Sequence, residues 1–240
     1  MKALTSAATM AAILCLTSLA LPTTADASVN KNIRIEAGES STGGSSVNGN
    51  IKVDSSALVS GKLSTVNGGI SIAEGAIVQE VETVNGRLKI ADDVQLEYAN
   101  TVNGRNQLGD RVVVNANVST VNGSIEVGTG SRVGEDVSAV NGKISLHGVD
   151  VGGDVVNVNG GMNITDGSIV RGSVIVKKPK KRGWNWGKSN KPRIVIGPNV
   201  VIEQTLLLEQ PVELYVHETA RINEIKGDDI DINRFSGDRP

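Results

Sequence analysis

The sequence predicts an all-β fold, a single-stranded parallel β-solenoid (β-helix) with right-handed winding and about 18–19 residues per coil. Two observations support this prediction. The tripeptide Val-Asn-Gly occurs seven times, at nearly constant steps that match one such coil. Each copy is followed by a run in which apolar residues alternate with others, which is typical of a strand with one buried face. The copies begin at Val47, Val66, Val84, Val102, Val121, Val140 and Val158.

The alternating runs begin one variable residue after the tripeptide and predict one strand in each coil. One row departs from the pattern, because Asn106 occupies a position that is aliphatic elsewhere. A further copy begins at Val29, one step before Val47, where Lys31 replaces the glycine, as suits a modified first coil. The regular runs are Ile51-Lys52-Val53, Ile70-Ser71-Ile72, Leu88-Lys89-Ile90, Ile125-Glu126-Val127, Ile144-Ser145-Leu146 and Met162-Asn163-Ile164.

Two other β folds share parts of this pattern. Asn-Gly is a strong signal for a two-residue hairpin, so a meander or barrel with one hairpin per repeat is an alternative. A left-handed helix of hexapeptides also uses about 18 residues per coil. We favour the right-handed solenoid because the whole phrase recurs, the step length alternates between two values, and a strict hexapeptide period is absent.

The constant pairing of Asn with Gly indicates a sharp corner between strands. Gly adopts positive φ without cost and Asn tolerates left-handed conformations, so we expect both at such a corner. Coils stacked at a strand spacing of about 4.8 Å place the asparagines in one column, whose amides are expected to bond from coil to coil. This ladder is predicted to be structural, and it comprises Asn48, Asn67, Asn85, Asn103, Asn122, Asn141 and Asn159.

Residues 1–27 have the features of a secretory signal. Lys2 precedes an apolar stretch from Ala7 to Leu21, and Ala25-Asp26-Ala27 fits a signal-peptidase site. The apolar stretch is too short for a permanent membrane span, and the sequence offers no other candidate. We therefore expect cleavage after Ala27 and an exported chain that is periplasmic, at the cell surface or secreted.

The composition argues against metal and cofactor chemistry. Cys15, the one cysteine, lies in the leader, so the mature chain has no disulfide or cysteine-bound metal. His147 and His217 are the only histidines and lie far apart in the sequence, which argues against zinc or copper. No nucleophile, phosphate-binding or dinucleotide motif occurs. The sequence predicts no metal, no cofactor and no enzymatic activity.

Residues 177–193, the basic segment, interrupt the repeat. They hold eight of the 24 Lys and Arg residues, none of the 26 Asp and Glu residues and both tryptophans, so the rest of the chain has a net charge of −10. Cations interleaved with aromatics suit an anionic glycan or lipid surface, and nucleic acid is not expected for an exported protein. The alternative is a loop that folds back onto the acidic solenoid. Candidate ligand-binding residues are Lys177, Lys178, Lys180, Lys181, Arg182, Trp184, Trp186, Lys188, Lys191 and Arg193.

The alternating pattern resumes after the basic segment. Residues 28–176 and 194–225 are predicted to be coils of one stack, and residues 226–240 a polar C-terminal cap or tail. Such a cap matters because a bare terminal coil is an unpaired strand edge that recruits copies of itself.

Two further files of side chains have possible roles. Glu74, Asp92 and Asp110 each occupy the same place after a repeat valine, and calcium would relieve their repulsion, although a solvated corner is the simpler interpretation. A polysaccharide-active enzyme would depend on a pair of these acids and would lose turnover on a change of Asp92 or Asp110. A single file of threonines is expected to be buried by the corner rather than to bind ice; its members are Thr65, Thr83, Thr101 and Thr120.

The phrase Val118-Ser119-Thr120-Val121-Asn122-Gly123-Ser124-Ile125-Glu126-Val127 resembles the β-strand-repeat adhesin family of bacterial envelope proteins. The glycine-punctuated strands from Ile194 to Ile202 are similar to those of bactofilins, which form polymers. With the leader and the basic segment, the first resemblance implies a non-enzymatic protein of a Gram-negative-type envelope, a scaffold or adhesin-like module that presents the basic segment to anionic material. The second implies a self-assembling structural polymer. A polysaccharide-active enzyme is the third alternative.

Overall fold

The computed structural model describes residues 26–179, 191–228, 230–237 and 239–240. Within these ranges the chain forms 27 β-strands and no helix, and therefore no helix that could cross a membrane. Paired strands are parallel, and each residue pairs with its equivalent in the next repeat through most of the chain. The predicted all-β parallel solenoid is confirmed, and parallel pairing excludes the hairpin meander. The right-handed sense of the winding stays a prediction.

The strands follow one another in short runs. The first are β1 (Asp26–Ser28), β2 (Ile33–Ile35), β3 (Ser40–Ser41), β4 (Gly44–Ser46), β5 (Ile51–Val53), β6 (Leu58–Asn67), β7 (Ile70–Ile72), β8 (Ile77–Asn85) and β9 (Leu88–Ile90). They continue with β10 (Gln95–Asn103), β11 (Asn106–Leu108), β12 (Val113–Val114), β13 (Val118–Asn122), β14 (Ile125–Val127), β15 (Arg132–Val133), β16 (Val137–Asn141), β17 (Ile144–His147) and β18 (Asp150–Val151). The last are β19 (Val155–Asn159), β20 (Met162–Thr165), β21 (Ile169–Val170), β22 (Val174–Val176), β23 (Arg193–Ile196), β24 (Val201–Leu208), β25 (Glu213–His217), β26 (Arg221–Gly227) and β27 (Ile232–Phe235).

These strands form three faces along the rod. Face 1 is an eleven-stranded sheet in the order β2-β5-β7-β9-β11-β14-β17-β20-β23-β25-β27. The 16-stranded sheet supplies faces 2 and 3, because its longest strands turn a corner. The first part of β10 pairs with β12 on face 2, and its second part pairs with β13 on face 3. β24 likewise pairs with both β21 and β22.

The core is a narrow column of aliphatic side chains inside the three faces. Each face contributes two inward residues to a typical coil, and no Phe, Tyr or Trp of the described residues belongs to this core. In the coil that begins at β7, the inward residues are at most 2% exposed; they are Ile70, Ile72, Ala76, Val78, Val81 and Thr83. Period-two alternation on each face therefore buries one side of every strand.

The slight variation in repeat length has a local cause at the corners. Between faces 2 and 3, the register of β6 against β8 shifts between Val59 and Lys62, where β6 has one extra residue. The corner between Val114 and Val118 also has one residue more than the equivalent corner within β10. The corner absorbs the additional residue, so the strands on either side stay in register.

The glycine of each Val-Asn-Gly corner faces the carbonyl oxygen of the corner one coil earlier. A Cβ on Gly104 would lie 1.6 Å from the oxygen of Gly86, and a Cβ on Gly86 would lie 1.8 Å from that of Gly68. The expectation of positive φ here is wrong, because Gly142 alone among these corner residues has one, at 155°. The corner requires glycine because a side chain would prevent this close approach of two backbones.

The corner asparagines form a continuous ladder. Each donates from Nδ2 to Oδ1 of the asparagine one coil earlier, at 2.7 to 3.0 Å. Asn48 begins the series by donating to Asn30 at 2.8 Å. The side chains are exposed. Each bond therefore competes with water and contributes less than a buried bond would.

Buried hydroxyl groups support the same corners from inside. Thr65 donates to the oxygen of Gly49 at 2.8 Å, and Thr83 donates to that of Gly68 at 2.9 Å. The next two threonines of the file bond to each other at 2.8 Å. All four are between 2% and 4% exposed, so the predicted burial of the threonine file is confirmed.

The two ends of the rod differ from the repeats. Residues 1–25 of the predicted leader lie outside the described residues, and the predicted cleavage point after Ala27 falls within β1, which pairs with β4. Residues 226–240, predicted as a cap or tail, include the end of β26 and all of β27, which pairs with β25. Pro240 lies on the outer side of face 1, where Arg193 donates to its main-chain oxygen at 3.2 Å.

Candidate functional site

The basic segment departs from the rod at a Val-Asn-Gly-type corner. β22 ends at Val176, and β23 begins at Arg193. Because Val176 pairs with Asn157, Lys178 takes the position that Asn159 has in the preceding coil. The asparagine ladder therefore ends at Asn159, and Pro179 takes the position of the corner glycine.

The stack continues across this segment without a change of register. Val174 before it pairs with Leu206, and Ile194 after it pairs with Met162. Both faces that meet at this corner are therefore continuous past the insertion. The segment leaves and rejoins one rod instead of linking two domains.

Four of the predicted ligand-binding residues lie in the described part of the segment. Lys177, Lys178 and Lys191 are exposed, and Arg193 is exposed at the first position of β23. The other candidates lie outside the described residues; they are Lys180, Lys181, Arg182, Trp184, Trp186 and Lys188. The structure thus gives the two attachment points of the segment.

The departing chain is held by the coil that follows it. Gln210, at the asparagine position of that coil, donates from Nε2 to the oxygen of Lys177 at 2.9 Å and to that of Val158 at 2.7 Å. The main-chain nitrogen of Lys178 donates to Oε2 of Glu209 at 3.1 Å. These bonds replace the missing rung of the ladder and leave both lysine side chains exposed.

Arg193 has intramolecular partners on the outer side of face 1. Its guanidinium lies over the ring of Tyr215, 4.7 Å from the centroid, which is a cation–π contact. It also donates from Nη2 to the main-chain oxygen of Pro240 at 3.2 Å. These contacts fix the side chain at the rim of a groove.

This groove, of about 660 Å³, lies on the outer side of face 1 and is also lined by Phe235, Arg239 and Pro240. The residues that directly follow Lys143, Gly161 and Arg193 pair with each other on adjacent strands. These three residues therefore form one row across the outer side of face 1. Glycine has no side chain, so the surface dips between the two cations. Gly197 lies beside Thr165 of the neighbouring strand. It also has no side chain, so the groove is deeper at this point as well.

Among the groove residues that the structure describes, positive side chains outnumber negative ones, and the floor has both polar and apolar groups. Val195 points outward yet is only 8% exposed, which shows how closely this surface is covered. The cations are Lys143, Arg193 and Arg239, the carboxylate is Asp166, and the uncharged groups include Asn163, Thr165, Val195 and Phe235.

His147 belongs to a small polar cluster at the edge of the groove. Its Nδ1 lies 2.9 Å from Oγ1 of Thr165 and 3.1 Å from Oδ2 of Asp166, and Thr165 donates to the same carboxylate oxygen at 2.8 Å. In a catalytic triad the two ring nitrogens face different partners, whereas here both partners meet one nitrogen. The cluster orients the imidazole and leaves Nε2 as its other hydrogen-bonding atom.

Two members of the acidic file, Asp92 and Asp110, support corners by hydrogen bonding. Oδ1 of Asp92 accepts from the nitrogen of Asp110 at 3.0 Å, and Oδ1 of Asp110 accepts from that of Thr129 at 2.8 Å. Arg111 donates to both oxygens of Asp93 at 2.7 Å, and this lowers the pKa of Asp93. Among the described residues no group of three His, Cys, Asp or Glu side chains is arranged to hold a metal ion. Bonds to the next coil therefore account for the carboxylates of Asp92 and Asp110.

Reasoning from the sequence missed Lys143, His147 and Arg239 as groove residues. The sequence did contain a signal for Lys143. Lys143 and Gly161 each directly follow a Val-Asn-Gly tripeptide, so they occupy equivalent positions in successive coils. Arg239 had no such signal, since it reaches the groove only through the return of the chain after Phe235.

Comparison with known proteins gave no match, whether with family models, curated proteins or solved structures. The resemblance to adhesins and bactofilins therefore stays an interpretation of the repeat phrase. Function is therefore inferred from the geometry of the rod, the basic segment and the groove.

Proposed function

We propose that this chain is a non-enzymatic, exported scaffold of the bacterial envelope, an adhesin-like module that presents its basic segment to anionic glycan or lipid. The observation that supports this most directly is the unbroken register across the insertion, from Met162 to Ile194 and from Val174 to Leu206. A rigid stack with one inserted cationic segment suits presentation, because the rod incurs no ordering cost when it binds.

The interaction with the anionic surface is electrostatic and should weaken with salt. Lys177, Lys178 and Lys191 are exposed at the two attachment points. The Debye length falls from about 10 Å at 0.1 M salt to about 3 Å at 1 M, so contacts between exposed charges lose range. Salt sensitivity therefore distinguishes this binding from apolar association.

The test compares two sets of Gln substitutions. The segment variant changes Lys177, Lys178, Lys180, Lys181 and Arg182, and the matched control changes exposed cations elsewhere on the rod, namely Lys31, Arg87, Lys89, Arg105 and Arg132. Co-sedimentation with envelope material, and with vesicles of anionic or zwitterionic lipid, measures binding at about 0.1 M and about 1 M salt. We expect the segment variant to lose salt-sensitive binding and the control to keep it. Equal loss in both variants would contradict the proposal.

A second function, end-to-end self-assembly, is favoured by the last coil. In the described residues β26 pairs only with β24, and β27 only with β25, so each has one unpaired edge. Ile225 and Ile232 are partly buried there, whereas their partners Leu206 and Leu214 are fully buried. An unpaired edge with apolar residues is a template for another strand.

Self-assembly is tested by placing charge in the terminal coil. Ile225→Lys and Ile232→Lys are compared with Val84→Lys, which adds the same charge at a valine that is already 37% exposed. Negative-stain electron microscopy and sedimentation velocity report filament length. Filaments in the wild type and the control alone would support assembly; filaments in none of the proteins, or in all of them, would exclude this route. Binding to anionic material should be unaffected.

A further inference from the structure

We propose that the groove on face 1 is a separate binding site for a carboxylated saccharide, such as a short chain of uronic acids. This inference deepens the proposed function and rests on its anionic glycan partner. It assigns recognition of the individual sugar to the groove, whereas the basic segment supplies attraction to the surface.

The cations of the groove suit a carboxylate ligand. Lys143 and Arg193 stand two strands apart with Gly161 between them, so their backbones are separated by about 10 Å at a strand spacing of about 4.8 Å. Arg239 approaches the same depression from the returning chain. Arginine forms bidentate, charge-assisted bonds with carboxylates, which makes this end of the groove suitable for the acid group.

The side chain of Arg193 is preorganised for binding. The guanidinium of Arg193 is held over the ring of Tyr215 and bonded to the oxygen of Pro240 before any ligand arrives. A side chain that is already ordered loses less entropy on binding. Among the described lining residues, Asp166 is the one with a carboxylate side chain, and it is engaged by Thr165 and His147 at the other side.

The size and the uncharged lining of the groove favour a sugar over a simple anion. A volume of about 660 Å³ falls in the range of small-molecule sites and far exceeds the needs of one carboxylate. Asn163 and Thr165 offer partners for hydroxyl groups, while Phe235 and Val195 offer apolar surface for the C–H side of a sugar ring. Phe235 is fixed by an edge-to-face contact with His217 at 5.0 Å.

The experiment measures the binding of trigalacturonate, with neutral maltotriose as the reference sugar, by isothermal titration calorimetry. The groove variant combines Lys143→Gln with Arg239→Gln. The matched control is Lys89→Gln, an exposed lysine at an outward position of β9 on the same face. We expect the wild type and the control to bind trigalacturonate but not maltotriose. The groove variant should lose about tenfold or more in affinity, and the segment variant should retain binding.

A variant that is expected to bind more tightly provides a second test, because misfolding of the groove variant would also abolish binding, whereas misfolding cannot increase affinity. Asp166→Asn removes the groove carboxylate, and asparagine tolerates the positive φ of 58° found there. We expect tighter binding of trigalacturonate to this variant; unchanged or weaker binding would contradict the charge argument.

The outcomes separate the two proposals. No binding of trigalacturonate to the wild type, or equal binding of maltotriose, would overturn the groove site and leave the surface binding of the basic segment intact. Binding lost in the segment variant and kept in the groove variant would overturn the groove site and support the segment as the recognition element. If the segment variant binds trigalacturonate normally but envelope material is never bound, the groove stands and the proposed presentation by the segment fails.

Discussion

The side-chain amide of Asn103 donates from Nδ2 to Oδ1 of Asn85 at 2.8 Å, and Oδ1 of Asn103 accepts from Asn122 at 2.8 Å. Every internal member of the ladder has this pair of bonds, one to each neighbouring coil. Because the amides are exposed, the ladder aligns the corners at a modest gain in stability for each rung.

Replacing Asn103 by Ala should lower the free energy of unfolding by about 1 kcal/mol, since two exposed bonds are lost. Asn30→Ala should have about half that effect, because Asn30 accepts one ladder bond and ends the series. Urea denaturation followed by circular dichroism measures both. A neutral result for Asn103→Ala would mean that water replaces the rungs fully.

Two adjacent glycines provide a sharper test of the corner. A Cβ on Gly68 would lie 2.1 Å from the oxygen of Gly49, whereas the nearest atom to a Cβ on Gly69 is the oxygen of Arg87 at 3.2 Å. Gly68→Ala should therefore destabilise the protein by about 1–3 kcal/mol or more, because backbone must move, and Gly69→Ala should cost much less. Thermal melts of the two variants, measured under the same conditions, compare their losses of stability. Equal losses would show that chain flexibility, not close approach, explains the glycine.

Asn106 offers a stabilising substitution. It is fully buried, and its Oδ1 has no hydrogen-bond partner, although Nδ2 donates to the oxygen of Ser119 at 2.8 Å. Its row neighbours are Leu88 and Ile125. Asn106→Leu should raise the free energy of unfolding by about 1 kcal/mol, because an unpaired buried acceptor costs about 1–3 kcal/mol.

The matched variant for that test is Asn106→Asp, which should lower stability because it places a carboxylate in the core. Both are measured by urea denaturation. A loss of stability in Asn106→Leu would mean that the bond to Ser119 outweighs the unpaired oxygen.

The pair of Asp93 and Arg111 predicts a pH dependence. The hydrogen bond from Arg111 lowers the pKa of Asp93, so the pair stabilises the fold above the unfolded-state pKa of about 3.9. That contribution is lost as the pH falls through the lower folded-state pKa. The melting temperature of Asp93→Asn should be slightly below that of the wild type at pH 7, and the difference should vanish at about pH 2. A difference that persists in acid would contradict the assignment.

Much of the fold was predictable from the sequence, because equivalent positions of a solenoid repeat the same contacts. The spacing of Val66, Val84 and Val102 predicts which residues stack, and the apolar alternation predicts which of them are buried. The reason for the corner glycine was not predictable, because the clash at Gly104 involves the carbonyl of Gly86, a contact that composition does not reveal.

The candidate site was predictable only in part. The charge of residues 177–193 is visible in the sequence, and β22 and β23 flank that segment. The groove depends on a return of the chain that brings Arg239 near Lys143, which is distant in the sequence. No periodic pattern links such residues, so only the three-dimensional arrangement brings them together.

The equivalence of the coils means that the length of this protein is an adjustable quantity. Duplicating residues 85–102, one whole period, would insert a unit whose two surfaces match the coils above and below it. The particle would grow by a single strand spacing of about 4.8 Å while every other contact was preserved. Gene duplication or protein engineering can therefore set the distance between its two extremities in uniform increments.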